Sequence, residues 1–295
     1  MYDQIISNKR KTWALISIFL VVIMTLGYVF GAIYQNVFGI MSLAGIIAIV
    51  MALVSYYSGD KVALSMAGAI PLNKEDNLYV WRLVENLCIS QGLVMPKIYI
   101  IPDTAMNAFA TGRDPEHSSI ALTQGIIAKL ANEELEGVIA HELSHIKNYD
   151  IRIGTVIIIL VGLISIMADI MLHSQIFGKR SRDNASSGGA GVLVIVGLVL
   201  AVLSPIFANL IKLAISRKRE FLADASGALA TRYPEGLARA LEKIAADGKP
   251  LDRAADATAH LYISSPFGNS GKFISRLFLT HPPIDERIKA LRQMA

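Results

Sequence analysis

His141, Glu142 and His145 stand within five consecutive positions, in the run His-Glu-Leu-Ser-His. Positions i and i+4 share one face of an α-helix, so the two imidazoles can close on a single metal ion while Glu142 reaches a water on that ion. The chemistry is metal-activated hydrolysis, and the ion that suits such ligands is zinc, one per chain. Two imidazoles leave a catalytic zinc one protein ligand short when water takes the fourth position. Asp150, Glu220, Asp224 and His281 are the candidates for the third. Spacing favours Glu220: it and Asp224 are four apart, so one can ligate while the other orients a ligand. Standing alone in Arg217-Lys218-Arg219-Glu220, it would read as a solvated surface charge. Asp150, five residues after His145, is placed to hold the ligand helix. His117, His173 and His260 read as surface or loop histidines. Cys88, the single cysteine, reads as a packed core residue and excludes an intramolecular disulfide framework.

These residues need elements to carry them. Asn132, followed by Glu133, Glu134 and Glu136, suits the start of a helix running to about Asn148, with Leu135, Val138, Ile139 and Leu143 as its buried stripe. Ahead of it, Asn73 to Gly92 has the spacing of an amphipathic helix ended by its glycine. Lys97–Ile101, Asn107–Thr111 and Ser118–Thr123 read as short strands of a small sheet, broken by Pro102, Gly112 and Pro115, and Thr123 can cap a further helix. Ala214 to Thr231 and Pro234 to Ala246 read as helices. A last helix starts at Pro282 and Pro283, with Asp285 and Glu286 in its first turn.

The surroundings are apolar. Of 295 residues, 53% are hydrophobic and 18% charged, with a mean hydropathy of +0.48, too apolar for an ordinary soluble domain. Four stretches are long enough to cross a bilayer as helices: about 12–34, 37–57, 153–172 and 191–211. The chain therefore divides into an N-terminal transmembrane hairpin (1–57), a first catalytic half with the His-Glu motif (58–152), a second hairpin (153–211) and a second half with Glu220 (212–295). Lys9, Arg10 and Lys11 before the first span keep that end cytoplasmic by the positive-inside bias, and an even number of crossings brings both halves to the same side. Both termini and the candidate site then face the cytoplasm. The basic residues gather beside apolar stretches, so the net charge of +4 speaks for topology and not for nucleic acid. Oligomeric state is not legible.

The Glu-x-x-x-Asp spacing of Glu220 and Asp224 resembles the gluzincin metallopeptidases, which implies Glu as ligand and Asp as partner to a zinc-bound imidazole. A wider set of features resembles the HtpX family of bacterial membrane zinc proteases: four spans, the His-Glu motif before the third, Arg219 to Asp224 (Arg-Glu-Phe-Leu-Ala-Asp) after the fourth, Asn107-Ala108-Phe109-Ala110 upstream and Thr280-His281-Pro282-Pro283 near the end. More distantly the chain is similar to the CAAX prenyl-proteases. The resemblance implies zinc on His141, His145 and Glu220, Glu142 as catalytic base, a cytoplasmic site in a bacterial inner membrane, and misfolded membrane proteins as substrates in a stress response. It suggests His281 as oxyanion donor, although a His before two prolines equally suits a helix cap. Asn107 to Ala110 would be an edge strand that pairs with an extended substrate, or an ordinary sheet strand.

The expected fold is a mainly α membrane protein: four transmembrane helices plus a gluzincin-like α+β domain with a small β-sheet. A site inside the bilayer is disfavoured, since Glu133, Glu134, Glu136, Lys147 and Asp150 would be costly in lipid. A processing peptidase for prenylated tails and a catalytically silent membrane scaffold are the other readings.

Overall fold

The computed structural model describes residues 2–158, 217–255, 257–268 and 282–294. His281, His173, the third span beyond residue 158, the whole fourth span and residues 214–216 lie outside them.

The first two apolar stretches form α1 (Tyr2–Ile33) and α2 (Val37–Met66), joined by a turn in which Gln35 takes a left-handed φ of 55° and the Asn36 side chain caps α2 at Gly39. Both are long and apolar enough to cross a membrane. Each also outruns its apolar stretch: α1 starts well before residue 12, and α2 continues past residue 57 without a break. The helical ends project into the rest of the fold.

Next come β1 (Ile70–Pro71), α3 (Leu78–Gln91), β2 (Lys97–Ile101), β3 (Ala108–Asp114), β4 (His117–Thr123), α4 (Gln124–Lys129) and α5 (Asn132–Lys147). The sheet order is β1-β2-β4-β3, with β2 parallel to β4 and the other pairings antiparallel. Residues 150–158 are helical. After the undescribed stretch follow α6 (Arg217–Thr231), α7 (Pro234–Asp247), a 3-10 turn at Ala259–Leu261 and α8 (Ile284–Arg292).

Strand alternation makes the sheet a two-sided wall. Ala108, Ala110, Ile120 and Leu122 face one core with α3, α5 and α7, where Val84, Leu135, Ile139 and Leu241 are buried. Phe109, Ala121 and Ile101 face a second core, built with Leu15, Ile16 and Phe19 of α1, Ala48 and Ala63 of α2, and Ile153, Val156 and Ile157. Phe109 meets Tyr262 edge-on, ring centroids 5.0 Å apart. The hairpin of α1 and α2 thus packs directly on the sheet.

Several local expectations shift. α3 begins at Leu78, capped by Asn77, because Asn73 and Asp76 close a turn of their own; Gly92 ends it in the left-handed conformation. Asn132 opens α5 but does not cap it; Glu134 accepts the Ala131 N–H at 2.8 Å instead. Thr123 does cap α4. Gly112 does not break its strand: at φ 141° it forms a bulge in β3, where a side chain would meet the His117 carbonyl at 2.3 Å.

Candidate metal centre

The motif helix α5 is buried nearly all round, and α6 crosses it closely enough that a side chain at Gly227 would sit 3.0 Å from the His141 amide nitrogen. Glu220, Asp224 and Gly227 fall on one stripe of α6. The glycine lets the helices approach, and the two carboxylates then reach the imidazoles.

His141 and His145 pack edge to face, with their Nε2 atoms 3.2 Å apart. The Glu220 carboxylate lies 3.8 Å from Nε2 of His141 and 3.5 Å from Nε2 of His145. Candidate ligand atoms of the three residues all lie within 4.8 Å of one another. The far nitrogens are held as well. Nδ1 of His141 is 2.9 Å from Asp224 Oδ1, and Nδ1 of His145 is 3.0 Å from Asp150 Oδ2. A carboxylate there accepts an N–H, which assigns each Nδ1 its proton and leaves each Nε2 a lone pair aimed at its neighbour. Two lone pairs and a carboxylate converging out of water suit a cation. The donor set fits zinc, with imidazole, imidazole and carboxylate leaving a position open.

The protons fit too. Burial by itself would lower the pKa of His145, but the carboxylates of Glu220, Asp150 and Glu142 outweigh it and bring it to about 9. Without metal, the site holds a proton where the cation belongs. Burial likewise disfavours ionised Asp224, yet Arg287 and His141 hold its carboxyl below the usual range.

Glu142 is buried and lines a pocket of about 50 Å³ together with Ala110, His145, Gly154, Glu220 and His260. Of the four residues in the 107–110 strand, only Ala110 lines it. Asn107 is occupied otherwise, its amide donating to the Ser264 carbonyl and its own N–H meeting Thr123 Oγ1. The Ala108 carbonyl accepts from the Ile263 N–H at 3.0 Å. β3 is an edge strand, and part of that edge is already covered.

Asp150 holds more than a helix; it bonds the His145 imidazole itself. His260 corrects its reading as a surface or loop histidine: it lies in the 3-10 turn but is buried, with Nε2 2.9 Å from the Gly154 carbonyl. His117 does sit half-exposed beside Asp114. Arg287 has no forerunner in the sequence reading. It is fully buried, donates to both oxygens of Asp224 at 2.9 and 2.7 Å and to the Ile263 carbonyl at 3.3 Å, and lies 3.8 Å from Glu220. In sequence it sits in the charged run Asp285-Glu286-Arg287 of an amphipathic helix, where a solvated charge is the default.

Two helices long and apolar enough to cross a membrane, packed on a domain whose core holds this His, His and carboxylate cluster, are the features of a membrane-anchored metalloprotease. Residues 74–295 match the pattern of peptidase family M48, and the chain belongs to that family. It is 43% identical to a "Protease HtpX homolog" of Thermoanaerobacter pseudethanolicus, covering 100% of this chain and 98% of the relative. A "Protease HtpX homolog" of Dictyoglomus turgidum is 44% identical, over 99% and 94%. Among solved structures, Ste24p of S. mikatae shares the fold at a TM-score of 0.51 and 18% identity, over 99% of this chain and 67% of that one. The enzyme is a zinc-dependent metalloprotease, as its family is.

Proposed function

We propose that this protease cleaves misfolded or damaged membrane proteins at the cytoplasmic face of a bacterial inner membrane, with zinc held by His141, His145 and Glu220 in a gluzincin-like site. The carrying observation is the convergence of three basic atoms whose imidazoles are fixed from behind by Asp224 and Asp150. Bound zinc supplies an acidified water and a Lewis acid for the scissile carbonyl. Glu142 takes the proton of the attacking water and returns it to the leaving amine. Ahead of the bulge, Ala108 and Ala110 turn their backbone groups away from β4, because the Asn107 carbonyl faces Thr123. Ala110 is the one of these whose position over the pocket suits pairing with an extended substrate. His281 is retained as oxyanion donor on the resemblance alone.

Two features support the location. The end of α1 that carries Lys9, Arg10 and Lys11 is the end that touches the site, so the positive-inside bias assigns both to the cytoplasm. A site at the foot of a membrane helix is also within reach of segments protruding from the bilayer. Four spans remain part of this reading.

Detergent-purified wild type should hold about one zinc, lost in Glu220→Ala. Glu142→Gln should keep fold and zinc while cutting casein or an unfolded membrane protein roughly 10²–10⁴-fold more slowly. Undiminished cleavage by Glu142→Gln overturns the mechanism. Cleavage of prenylated peptides alone would move the substrate assignment to a processing peptidase.

A further inference from the structure

The first helix reaches the candidate metal centre through Asn8. Asn8 is buried, 2% exposed, and its Nδ2 lies 2.7 Å from Asp150 Oδ1 and 2.8 Å from the Asn148 carbonyl. Both neighbours are acceptors, so the amide must present its NH₂ group there, and its two N–H bonds are fully used.

Each bond answers a local need. α5 ends at Lys147, and the chain turns sharply through Tyr149 at φ 61°, a left-handed conformation that is strained for a non-glycine residue. The carbonyl of Asn148 lies at that turn, and Asn8 donates to it. Lys9 adds its ammonium over the Tyr149 ring, 4.5 Å from the centroid. The turn places Asp150 behind His145. Asp150 Oδ1 accepts from Asn8 and from Nη1 of Arg219 at 3.0 Å, which leaves Oδ2 for Nδ1 of His145. Two elements remote in sequence, α1 and α6, thereby aim one carboxylate at one imidazole.

We infer that Asn8 is a positioning residue of the metal centre, orienting Asp150 against His145, so that α1 completes the site as well as anchoring it. This rests on the ligand set proposed above. Partners of metal-bound histidines typically set 10–100-fold in metal affinity, and a residue one bond further out should fall at the lower end.

The test is zinc loss to a chelator from the full-length protein in detergent, with melting of the metal-free form measured alongside. Asn8→Ala is expected to release zinc about tenfold faster than wild type. The same substitution made in an Asp150→Asn background should add little, because the carboxylate it positions is already gone. Asn8→Asp keeps the shape of the side chain but sets a carboxylate against Asp150, and should accelerate release at least as much even if Asn8→Ala folds poorly. Wild-type release rates in both variants would overturn the inference. So would equal acceleration with and without Asp150, which would mark a general loosening. If the ligand assignment is at fault, Glu220→Ala will keep its zinc, and this inference falls with it.

Discussion

Asp224 and Arg287 form a doubly hydrogen-bonded ion pair with neither side chain exposed, and the Asp224 oxygen 2.7 Å from the guanidinium is also the one 2.9 Å from His141. One carboxylate therefore answers to a structural cation and to the imidazole of a proposed metal ligand. Replacing Arg287 by Leu leaves that charge buried without its partner, which should cost about 3–5 kcal/mol. Chemical denaturation of the metal-free protein would measure it. Adding Asp224→Asn should recover part of the loss, although zinc retention should fall.

Gly227 sets the distance between the two helices that carry the proposed ligands. Ala at this position must push α6 away from the His141 backbone, so Gly227→Ala should destabilise by about 1–3 kcal/mol and weaken zinc binding. Gly92 offers the control. It is left-handed but has open space around it, so Gly92→Ala should cost about 1 kcal/mol and leave zinc content unchanged.

Zinc uptake should release a proton. The metal-free His145, held near pKa 9 against an ordinary 6.5, is protonated at neutral pH and must lose that proton to ligate. Apparent zinc affinity should rise by up to tenfold per pH unit below about 9 and level off above it; calorimetry in buffers of different ionisation enthalpy counts the proton. The sign for folding is opposite. A raised pKa stabilises the metal-free protein fully below 6.5, and that contribution disappears as pH rises through 9. Its melting temperature should fall over that window, and a flat profile would contradict the assignment.

Cys88 should be inert. Burial pushes its thiol up to about 11, and Leu87, Val84 and Ile98 share its core. Maleimide at pH 7.5 should label it only after denaturation.

The parts of the site confined to one helix were legible in the sequence. His141, Glu142 and His145 declare themselves by spacing, and so do Glu220 and Asp224. The cavity side of β3 is legible more coarsely: the sequence points to Asn107, Ala108, Phe109 and Ala110, and of these four only Ala110 lines the pocket. Arg287, Asn8 and His260 were not legible, because each owes its place to a contact more than 60 residues away: Arg287 with Asp224, Asn8 with Asp150 and His260 with Gly154. Local sequence gives such residues an ordinary reading. Asn8 stands beside a basic cluster that topology already explains, Arg287 lies in a charged helical turn, and His260 in a loop. In the fold, β1 was missed since two residues, one of them proline, carry no periodic signal. Gly112 looked like a terminator because a bulge and a strand end ask for the same residue.

The second core joins Leu15, Ile16 and Phe19 of α1 and Ala63 of α2 to Phe109 of the sheet and Ile153 beyond the motif helix. The consequence is one of modularity. The tether of this enzyme is not an interchangeable part: a foreign anchor would deliver the protease to the bilayer, yet strip a face of its hydrophobic interior, so the design cannot be shuffled into soluble form by cutting at the first hairpin.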